Sequence, residues 1–201
     1  MTKKWRRERQ RDYYHRRAKE KGYRSRAAFK LLQAVEKHNF INKGDVVVDF
    51  GAAPGSWMQV ARELVDDEGF VLGIDLKMIP KFDSTNVTIL QGDVEKLIGA
   101  DIMRVLPRQA DVVLSDLSPN VSGVWDLDHA RQIHLSEISL NLACEVLRVG
   151  GAFFVKVFEG SSLKEFRRRV NTHFTQIRVL KPKATRKRSA EIYVMARNYR
   201  D

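Results

Sequence analysis

One stretch, Val46–Trp57, constrains the fold of this 201-residue chain more than any other. A β-branched apolar run ends in Asp49, the glycine-containing turn 51–55 follows, and a helix-compatible segment continues over residues 58–65. Strand, tight turn and helix in this order are typical of the opening unit of a nucleotide-binding α/β domain.

The turn after this strand differs from a diphosphate-binding turn. Its pattern is D-x-G-x-x-P-G, whereas a pyrophosphate-binding turn reads G-x-G-x-x-G. Gly51 and Gly55 allow the backbone to approach a ligand closely, and Pro54 fixes the turn before the helix. The negative charge of Asp49 favours a cationic ligand. The turn resembles the first motif of S-adenosylmethionine-dependent methyltransferases; an ordinary strand–turn–helix corner is the alternative.

Strands and helices alternate along the rest of the chain. Strands are predicted at 46–50, 70–75, 86–91, 110–116, 152–158, 175–180 and 190–197. Helices are predicted at 25–37, 58–65, 94–106, 128–147 and 162–173. This alternation predicts an α/β fold of the Rossmann-like kind, a mostly parallel seven-stranded sheet with helices on both faces. No helix separates the last two strands, so they should form an antiparallel pair at one edge. Residues 23–201 are predicted to be a single domain.

The positive charge is concentrated at the two ends of the chain. Residues 1–30 hold 13 Lys/Arg against 3 Asp/Glu, and residues 181–201 hold 7 against 2. These ends together exceed the net charge of +11, so the residues between them are net negative. Aromatic residues are interleaved with the basic ones in residues 1–22. We therefore expect this segment to contact RNA, as a helix or as an arm that orders on binding, together with the basic loop 181–188. A merely solubilising surface is the alternative.

Composition argues against several other classes of protein. No apolar run approaches the ~20 residues needed to span a bilayer, so no membrane association is predicted. The single cysteine, Cys144, excludes an internal disulfide, and a cytoplasmic monomer is the expectation. The five histidines are scattered without ligand spacing, so no metal site is predicted.

Acidic residues stand at the ends of four predicted strands: Asp49, Asp75, Asp93 and Asp116. Ligands of open α/β sheets bind beyond these carboxyl ends. Asp75 is placed to accept ribose hydroxyls and Asp93 an adenine amino group, while Asp49 and Asp116 would flank a cationic centre. Each alone is equally well explained as a helix cap or turn residue, but the four together indicate a binding site.

One lysine interrupts an otherwise apolar strand. Lys156 lies within residues 152–158, where a strand buried on both faces should be continuously apolar. Burial disfavours the charged form of an amine, and a neutral lysine can act as a general base. Glu191, at the start of the last strand, could supply a pairing carboxylate. The alternative is a lysine that reaches solvent through its long stem.

Five blocks of sequence together resemble one family. They are residues 23–31, 49–57, 116–120, 155–158 and 189–193. In this order, and over nearly the whole chain, they are similar to the FtsJ/RrmJ family of ribosomal RNA 2′-O-ribose methyltransferases. The resemblance implies a Lys-Asp-Lys-Glu tetrad at Lys30, Asp116, Lys156 and Glu191. It also implies contacts with S-adenosylmethionine at Gly55, Trp57, Asp75, Asp93 and Asp116.

The activity implied by this resemblance is methyl transfer to a ribose 2′-hydroxyl, with a uridine of large-subunit (23S) ribosomal RNA, free or in an assembled subunit, as the expected target. Lys156 is our hypothesis for the base, with Lys30 opposing its positive charge and the two carboxylates orienting the lysines and the donor. Transfer RNA and messenger RNA caps are rival substrates. A non-catalytic RNA-binding ribosome-assembly protein is the alternative from another class. Pyrimidine carbon-5 methylation fits worse, because Cys144 lies in mid-helix rather than near residues 116–120.

Overall fold

The computed structural model describes residues 13–186 and 188–201, which form one seven-stranded sheet flanked by helices. The strands are β1 (Val46–Phe50), β2 (Phe70–Asp75), β3 (Val87–Gln91), β4 (Ala110–Ser115), β5 (Leu147–Phe158), β6 (Phe174–Leu180) and β7 (Glu191–Tyr199). The helices are α1 (helical over 13–20), α2 (Ala28–His38), α3 (Ser56–Val65), α4 (Gly99–Met103), α5 (Trp125–Val146) and α6 (Leu163–His173).

The strand order is β3-β2-β1-β4-β5-β7-β6. Strands β1 to β5 pair in parallel, and β7 runs antiparallel to both β5 and β6. The predicted fold class is therefore confirmed, including the antiparallel last strand. The chain moves outward from β1 towards β3 and then returns to β4 on the other side. This reversal opens a crevice between the carboxyl ends of β1 and β4, where such sheets bind ligands.

The core lies on both faces of the sheet, because side chains of a strand alternate between faces. Val48 and Phe50 of β1 pack with residues of α4, α5 and α6. Val47 packs on the opposite face with residues of α1, α2 and α3. Asp49 alternates onto this second face and is buried there. The strand therefore carries a carboxylate into the core directly before the glycine turn.

The predicted helix 94–106 is wrong in extent, since α4 covers only Gly99–Met103. The backbone N–H of Gly99 donates to Oε2 of Glu145 at 2.6 Å. A Cβ at position 99 would lie 2.4 Å from the Cβ of Glu145 on α5. This tertiary contact with α5 fixes where the helix begins, and periodicity along the chain does not report it.

Other boundaries also differ from the prediction. The helix predicted at 25–37 begins only at Ala28, and α5 begins at Trp125 rather than at 128; the hydroxyl of Ser25 accepts the N–H of Ala27 and lies 2.8 Å from the hydroxyl of Ser56. Strand β5 begins at Leu147 rather than 152, with a register shift against β4. Along residues 13–186 and 188–201, no helix is long and apolar enough to cross a membrane.

Candidate active site

A cavity of about 760 Å³ lies over the carboxyl ends of β1 to β4. Residues that follow each of these strands line it, including Gly51, Asp75, Asp93 and Asp116. Arg131 and His134 of α5 also line it. The cavity thus occupies the crevice that the strand order creates.

The turn between β1 and α3 is held tightly from two sides. Gly51 has a φ of +74°, and a Cβ there would come within 3.0 Å of the Leu117 backbone. Gly55 has a φ of +97°, and a Cβ there would lie 2.4 Å from Nη1 of Arg24. Both glycines are required by backbone conformation and by space. Pro54 between them is exposed and follows a cis peptide bond.

Asp75 and Asp93 both line the cavity but already hold backbone groups. Asp75 accepts the N–H of Ala53 through Oδ2 and that of Lys77 through Oδ1, each at 2.8 Å. Asp93 accepts the N–H of Glu95 at 3.1 Å. A carboxylate oxygen has a second lone pair, so these contacts leave acceptor capacity for a ligand. Their role as ligand contacts stays a prediction.

Asp49 is a fully buried carboxyl, and neither of its oxygens has a hydrogen-bond partner among the described residues. Burial, together with the charges of Asp116 and Asp75, raises the pKa of Asp49 well above its usual value. A cationic ligand in the adjoining cavity would offset this cost. The site therefore fits a sulfonium- or ammonium-bearing ligand.

Trp57, by contrast, does not present its side chain to the cavity. The indole is 2% exposed, stacks on Phe154 at 5.6 Å and donates its N–H to the carbonyl of Ala27 at 2.8 Å. Trp57 lies in the first turn of α3, where backbone N–H groups lack partners within the helix. The predicted contact of Trp57 with S-adenosylmethionine can therefore be made only by its backbone.

The four residues of the expected tetrad lie together although they come from distant segments. Nζ of Lys156 donates to the carbonyl of Asp116 at 2.7 Å and lies 3.3 Å from its Oδ1. Nζ of Lys30 lies 2.8 Å from Oε1 of Glu191 and 3.8 Å from Oδ2 of Asp116. Both lysines are buried. Asp116 therefore stands between two lysine amines and also lines the cavity.

Tyr193 is a fifth member of this cluster that the sequence did not reveal. Its hydroxyl lies 3.0 Å from Oδ1 of Asp116 and 3.1 Å from Oε1 of Glu191. Burial and the two neighbouring carboxylates raise the pKa of Tyr193 well above its usual value, so it stays a phenol whose O–H donates a hydrogen bond to them. Its i, i+2 spacing from Glu191 on one strand was the available signal.

The charge of Asp116 is stabilised by its surroundings. Burial alone would raise the pKa of this carboxyl, but Lys156, Lys30 and the Tyr193 hydroxyl outweigh it and hold the pKa below its usual range. Asp116 therefore remains ionised and gives each lysine a counter-charge. The cluster is electrostatically complete within the protein itself.

Polar residues of α5 fix the backbone that carries Lys156. The carbonyl of Lys156 accepts from Nε2 of Gln132 at 3.1 Å and from the hydroxyl of Ser136 at 3.0 Å. Nε2 of Gln132 also lies 3.2 Å from the carbonyl of Leu117. Gln132 and Ser136 are buried. They tie β5 to the loop after Asp116, a role that the sequence alone did not indicate.

The segment before α2 links the tetrad to the glycine turn. Arg24 donates to the carbonyl of Pro54 at 3.1 Å and to that of Lys81 at 2.8 Å, and its guanidinium lies 3.9 Å over the ring of Phe82. The helix that carries Lys30 is thus braced against the turn that faces the cavity.

The two basic ends of the chain meet on the outer face of α2. Nε2 of Gln33 donates to the hydroxyl of Tyr14 in α1, and its Oε1 accepts the N–H of Ala184, both at 3.1 Å. The N-terminal helix and the loop 181–188 therefore adjoin, on the helix that also carries Lys30. Residues 1–12 of the predicted RNA-contacting segment, and Lys187, lie outside the described residues. RNA contact by these segments stays a prediction.

The described part of the chain holds no group of three or more His, Cys, Asp or Glu side chains suited to a metal ion.

The strand order, the glycine turn and the cavity at the reversal point define the Rossmann-like class I methyltransferase fold. Within that class, a family model described as FtsJ-like methyltransferase matches residues 23–199, and the chain belongs to this family.

Relatives and solved structures agree with this assignment. Two similar proteins are each named ribosomal RNA large subunit methyltransferase E. That of Methanocaldococcus jannaschii is 46% identical over 98% of this chain and 82% of its own length. That of Methanothrix thermoacetophila is 47% identical over 94% of this chain and 72% of its own length. A crystal structure from Plasmodium falciparum, described as a ribosomal RNA methyltransferase, is 28% identical with a TM-score of 0.77, covering 88% of this chain and 98% of its own.

Proposed function

We propose that this protein transfers a methyl group from S-adenosylmethionine to a ribose 2′-hydroxyl of RNA, and that a uridine of large-subunit ribosomal RNA is the target. The observation that carries the proposal is the buried amine of Lys156 beside the cavity, 3.3 Å from Oδ1 of Asp116. A protein that only binds RNA has no need to bury a lysine in the core of its sheet. The names of the relatives support ribosomal RNA as the substrate.

The residues for the methyl donor form what we call the donor side: Asp49, the turn 51–55, Asp75 and Asp93. S-adenosylmethionine supplies a methyl carbon on a sulfonium, from which the thioether leaves as the new O–CH₃ bond forms. A bound sulfonium would favour ionisation of the unpartnered Asp49, whose carboxylate then provides the negative charge that suits this cation. Asp75 and Asp93 are assigned to its ribose hydroxyls and adenine amino group.

The residues for the RNA form the acceptor side: Lys30, Asp116, Lys156, Glu191 and Tyr193. A ribose hydroxyl is a poor nucleophile until its proton leaves, and Lys156 in its neutral form accepts that proton at Nζ. The ammonium so formed lies 2.7 Å from the carbonyl of Asp116 and 3.3 Å from Oδ1. The counter-charge is therefore in place before the proton arrives.

The remaining members of the acceptor side orient this pair. Lys30 forms ion pairs with Oδ2 of Asp116 and with Glu191. Its positive charge disfavours a second positive charge on Lys156. Tyr193 fixes the carboxylates of Asp116 and Glu191. Glu191 contacts Lys30 rather than Lys156, so its removal should cost much less than the loss of Lys156.

The central test is Lys156→Ala. General-base catalysis contributes roughly 10²–10⁴-fold, so labelled methyl transfer to large-subunit ribosomal RNA should fall by about that factor while calorimetric donor binding is kept. Lys43→Ala is the matched control, because Lys43 is an exposed lysine that pairs with Asp66 and Glu68 in the turn before β1, at the opposite end of the sheet. Near-normal turnover in Lys156→Ala would reject the base assignment.

The methylated product shows which atom of the RNA receives the methyl group and which RNA is the substrate. A 2′-O-methyl group blocks alkaline cleavage of the next phosphodiester, so the label should be recovered in alkali-resistant dinucleotides. Label in single nucleotides would instead mean base methylation. Free large-subunit ribosomal RNA, the assembled subunit and transfer RNA are compared in parallel. Binding of RNA and donor without transfer would favour the non-catalytic assembly protein.

A further inference from the structure

An exposed aromatic side chain lies at the rim of the acceptor side. Trp125, the first residue of α5, is 47% exposed. Its ring stacks on Phe158 with centroids 6.1 Å apart and on His129 with centroids 5.7 Å apart, both within 20° of parallel. Trp125 thus belongs to a supported aromatic cluster and still offers surface to solvent.

This aromatic cluster is close to the reacting groups. Phe158 ends β5, and its Cα pairs with that of Glu191. Phe158 follows Lys156 by two residues, so their Cα atoms lie about 7 Å apart along the strand. The exposed ring of Trp125 therefore lies at the same end of β5 as Lys156.

The segment that presents Trp125 is fixed in place before any ligand binds. The carboxylate of Asp128 accepts the N–H of Ser122 at 2.7 Å, its hydroxyl at 2.8 Å and the N–H of Gly123 at 3.0 Å. His129 accepts the N–H of Ser162 at 3.2 Å, and a Cβ at Gly160 would lie 2.5 Å from its ring. The aromatic surface is therefore preorganised, which lowers the entropic cost of binding a flat partner.

Apolar side chains next to Trp125 are exposed as well. Val121 is 69% exposed, Val124 60% and Leu127 42%. Such a concentration of exposed apolar surface marks an interaction site. An enzyme that methylates a ribose must also hold the attached base, and RNA-binding proteins hold unpaired bases by stacking them on aromatic rings. A base is therefore the partner that fits an exposed ring at this position.

We propose that Trp125, supported by Phe158 and His129, stacks against an unpaired base of the RNA substrate at or next to the methylated nucleotide. This inference rests on the proposed function and adds the contact that positions the base. Trp125 is a positioning residue, whereas the proton transfer belongs to Lys156.

The test compares Trp125→Ala, Trp125→Leu and Trp125→Phe. Base–aromatic stacking contributes about 1–3 kcal/mol, so alanine should raise the KM for ribosomal RNA by roughly 5- to 150-fold. Leucine keeps apolar bulk without a π face and should resemble alanine, whereas phenylalanine should retain most of the affinity. Donor affinity should not change. Val149→Ala is the matched control, because Val149 is 67% exposed near the start of β5, away from the site.

Binding of single-stranded oligouridine at several salt concentrations separates stacking from phosphate contact. Loss of stacking should weaken binding without changing the slope of log K against log salt concentration. RNA should also quench tryptophan fluorescence in a Trp5→Phe background, where Trp57 and Trp125 remain, and Trp125→Phe should abolish the quenching.

Two results would overturn the inference. One is an unchanged KM for RNA in both Trp125→Ala and Trp125→Leu. The other is quenching that persists in Trp125→Phe. Either would mean that Trp125 does not stack on a base of the RNA. A failure of the proposed function looks different, because wild-type protein would then bind oligouridine with quenching yet transfer no methyl group.

Discussion

The donor side is built from one stretch of about forty-five residues, 49–93, whereas the acceptor side gathers residues 30, 116, 156, 191 and 193 from across the chain. The donor side relies on backbone shape at Gly51 and Gly55. The acceptor side relies on contacts between charged side chains, such as that of Lys30 with Glu191 at 2.8 Å. One half can be recognised in a linear motif, and the other exists only once the sheet has formed.

The two sides also differ in their charge balance, as two aspartates show. Asp49 has no partner, and burial raises its pKa. Asp116 is partly buried, but two lysines and a tyrosine lower its pKa. The acceptor side is therefore complete without a ligand, whereas the donor side retains an electrostatic cost that a cation relieves.

The largest effect on stability should come from breaking the charge balance of the acceptor side. Asp116→Ala leaves Lys30 and Lys156 without their shared counter-charge, and removal of one partner from a buried ion pair costs about 3–5 kcal/mol. Urea unfolding measures this loss. Asp67→Ala, which removes an exposed partner of Arg62, should cost at most about 1 kcal/mol. Equal losses in the two variants would contradict the contrast.

Asp49→Asn tests the donor side by removing a buried ionisable group that has no partner. Because the folded-state pKa of Asp49 is raised, the native protein binds a proton that the unfolded chain releases above a pH of about 4. Wild-type stability therefore falls as pH rises from about 4 towards the raised pKa, and asparagine should remove that fall. Urea unfolding from pH 4 to 8 measures it.

The same Asp49→Asn variant should bind S-adenosylmethionine roughly 10-fold more weakly, since an interaction with a charged group contributes about 1.5–3 kcal/mol. Calorimetry gives the affinity. Its inhibition by S-adenosylhomocysteine, the product that lacks the sulfonium charge, should change less than donor binding. An unchanged donor affinity would mean that Asp49 does not interact with the donor's positive charge.

Tyr193→Phe sharpens the comparison by removing one hydroxyl from the acceptor side only. Loss of a hydrogen bond to a charged group costs about 1.5–3 kcal/mol. Turnover should fall by roughly 10-fold or more, with donor affinity unchanged. Tyr199→Phe is the control, because its hydroxyl donates to the carbonyl of Cys144 at 2.9 Å, remote from the site. If turnover fell equally in Tyr193→Phe and Tyr199→Phe, the Tyr193 hydroxyl would contribute to stability rather than to the reaction.

The smallest effects belong to the basic loop beside α2. Lys183→Ala should weaken RNA binding uniformly and make the slope of log K against log salt concentration shallower by about one, with donor affinity unchanged. Lys183 is exposed in this loop. Lys43→Ala, at the amino ends of the strands, should leave the slope as it is. A slope unchanged in Lys183→Ala would show that the loop does not contact phosphates.

Local signals predicted the fold well and the site in part. Period-two apolar runs and the glycine turn gave the strands and their mostly parallel arrangement, because strand alternation and turn conformation depend on neighbouring residues. The prediction of a helix at 94–106 was wrong in extent because the N–H of Gly99 is bound by Glu145, which lies 46 residues further along the chain. Lys30 illustrates the same limit: it falls near the border of the apolar stripe of α2, yet it is buried.

The sequence by itself determined the glycine turn, the acidic strand ends, the anomalous Lys156 and the family. Only the tertiary structure decided that Tyr193 joins the two carboxylates, that Gln132 and Ser136 hold the backbone of Lys156, that the Trp57 ring lies in the core, and that Asp49 lacks a partner. The physical reason is that the energy of a buried charge depends on which groups surround it in space. Those groups are brought together by strand order, which adjacent residues do not encode.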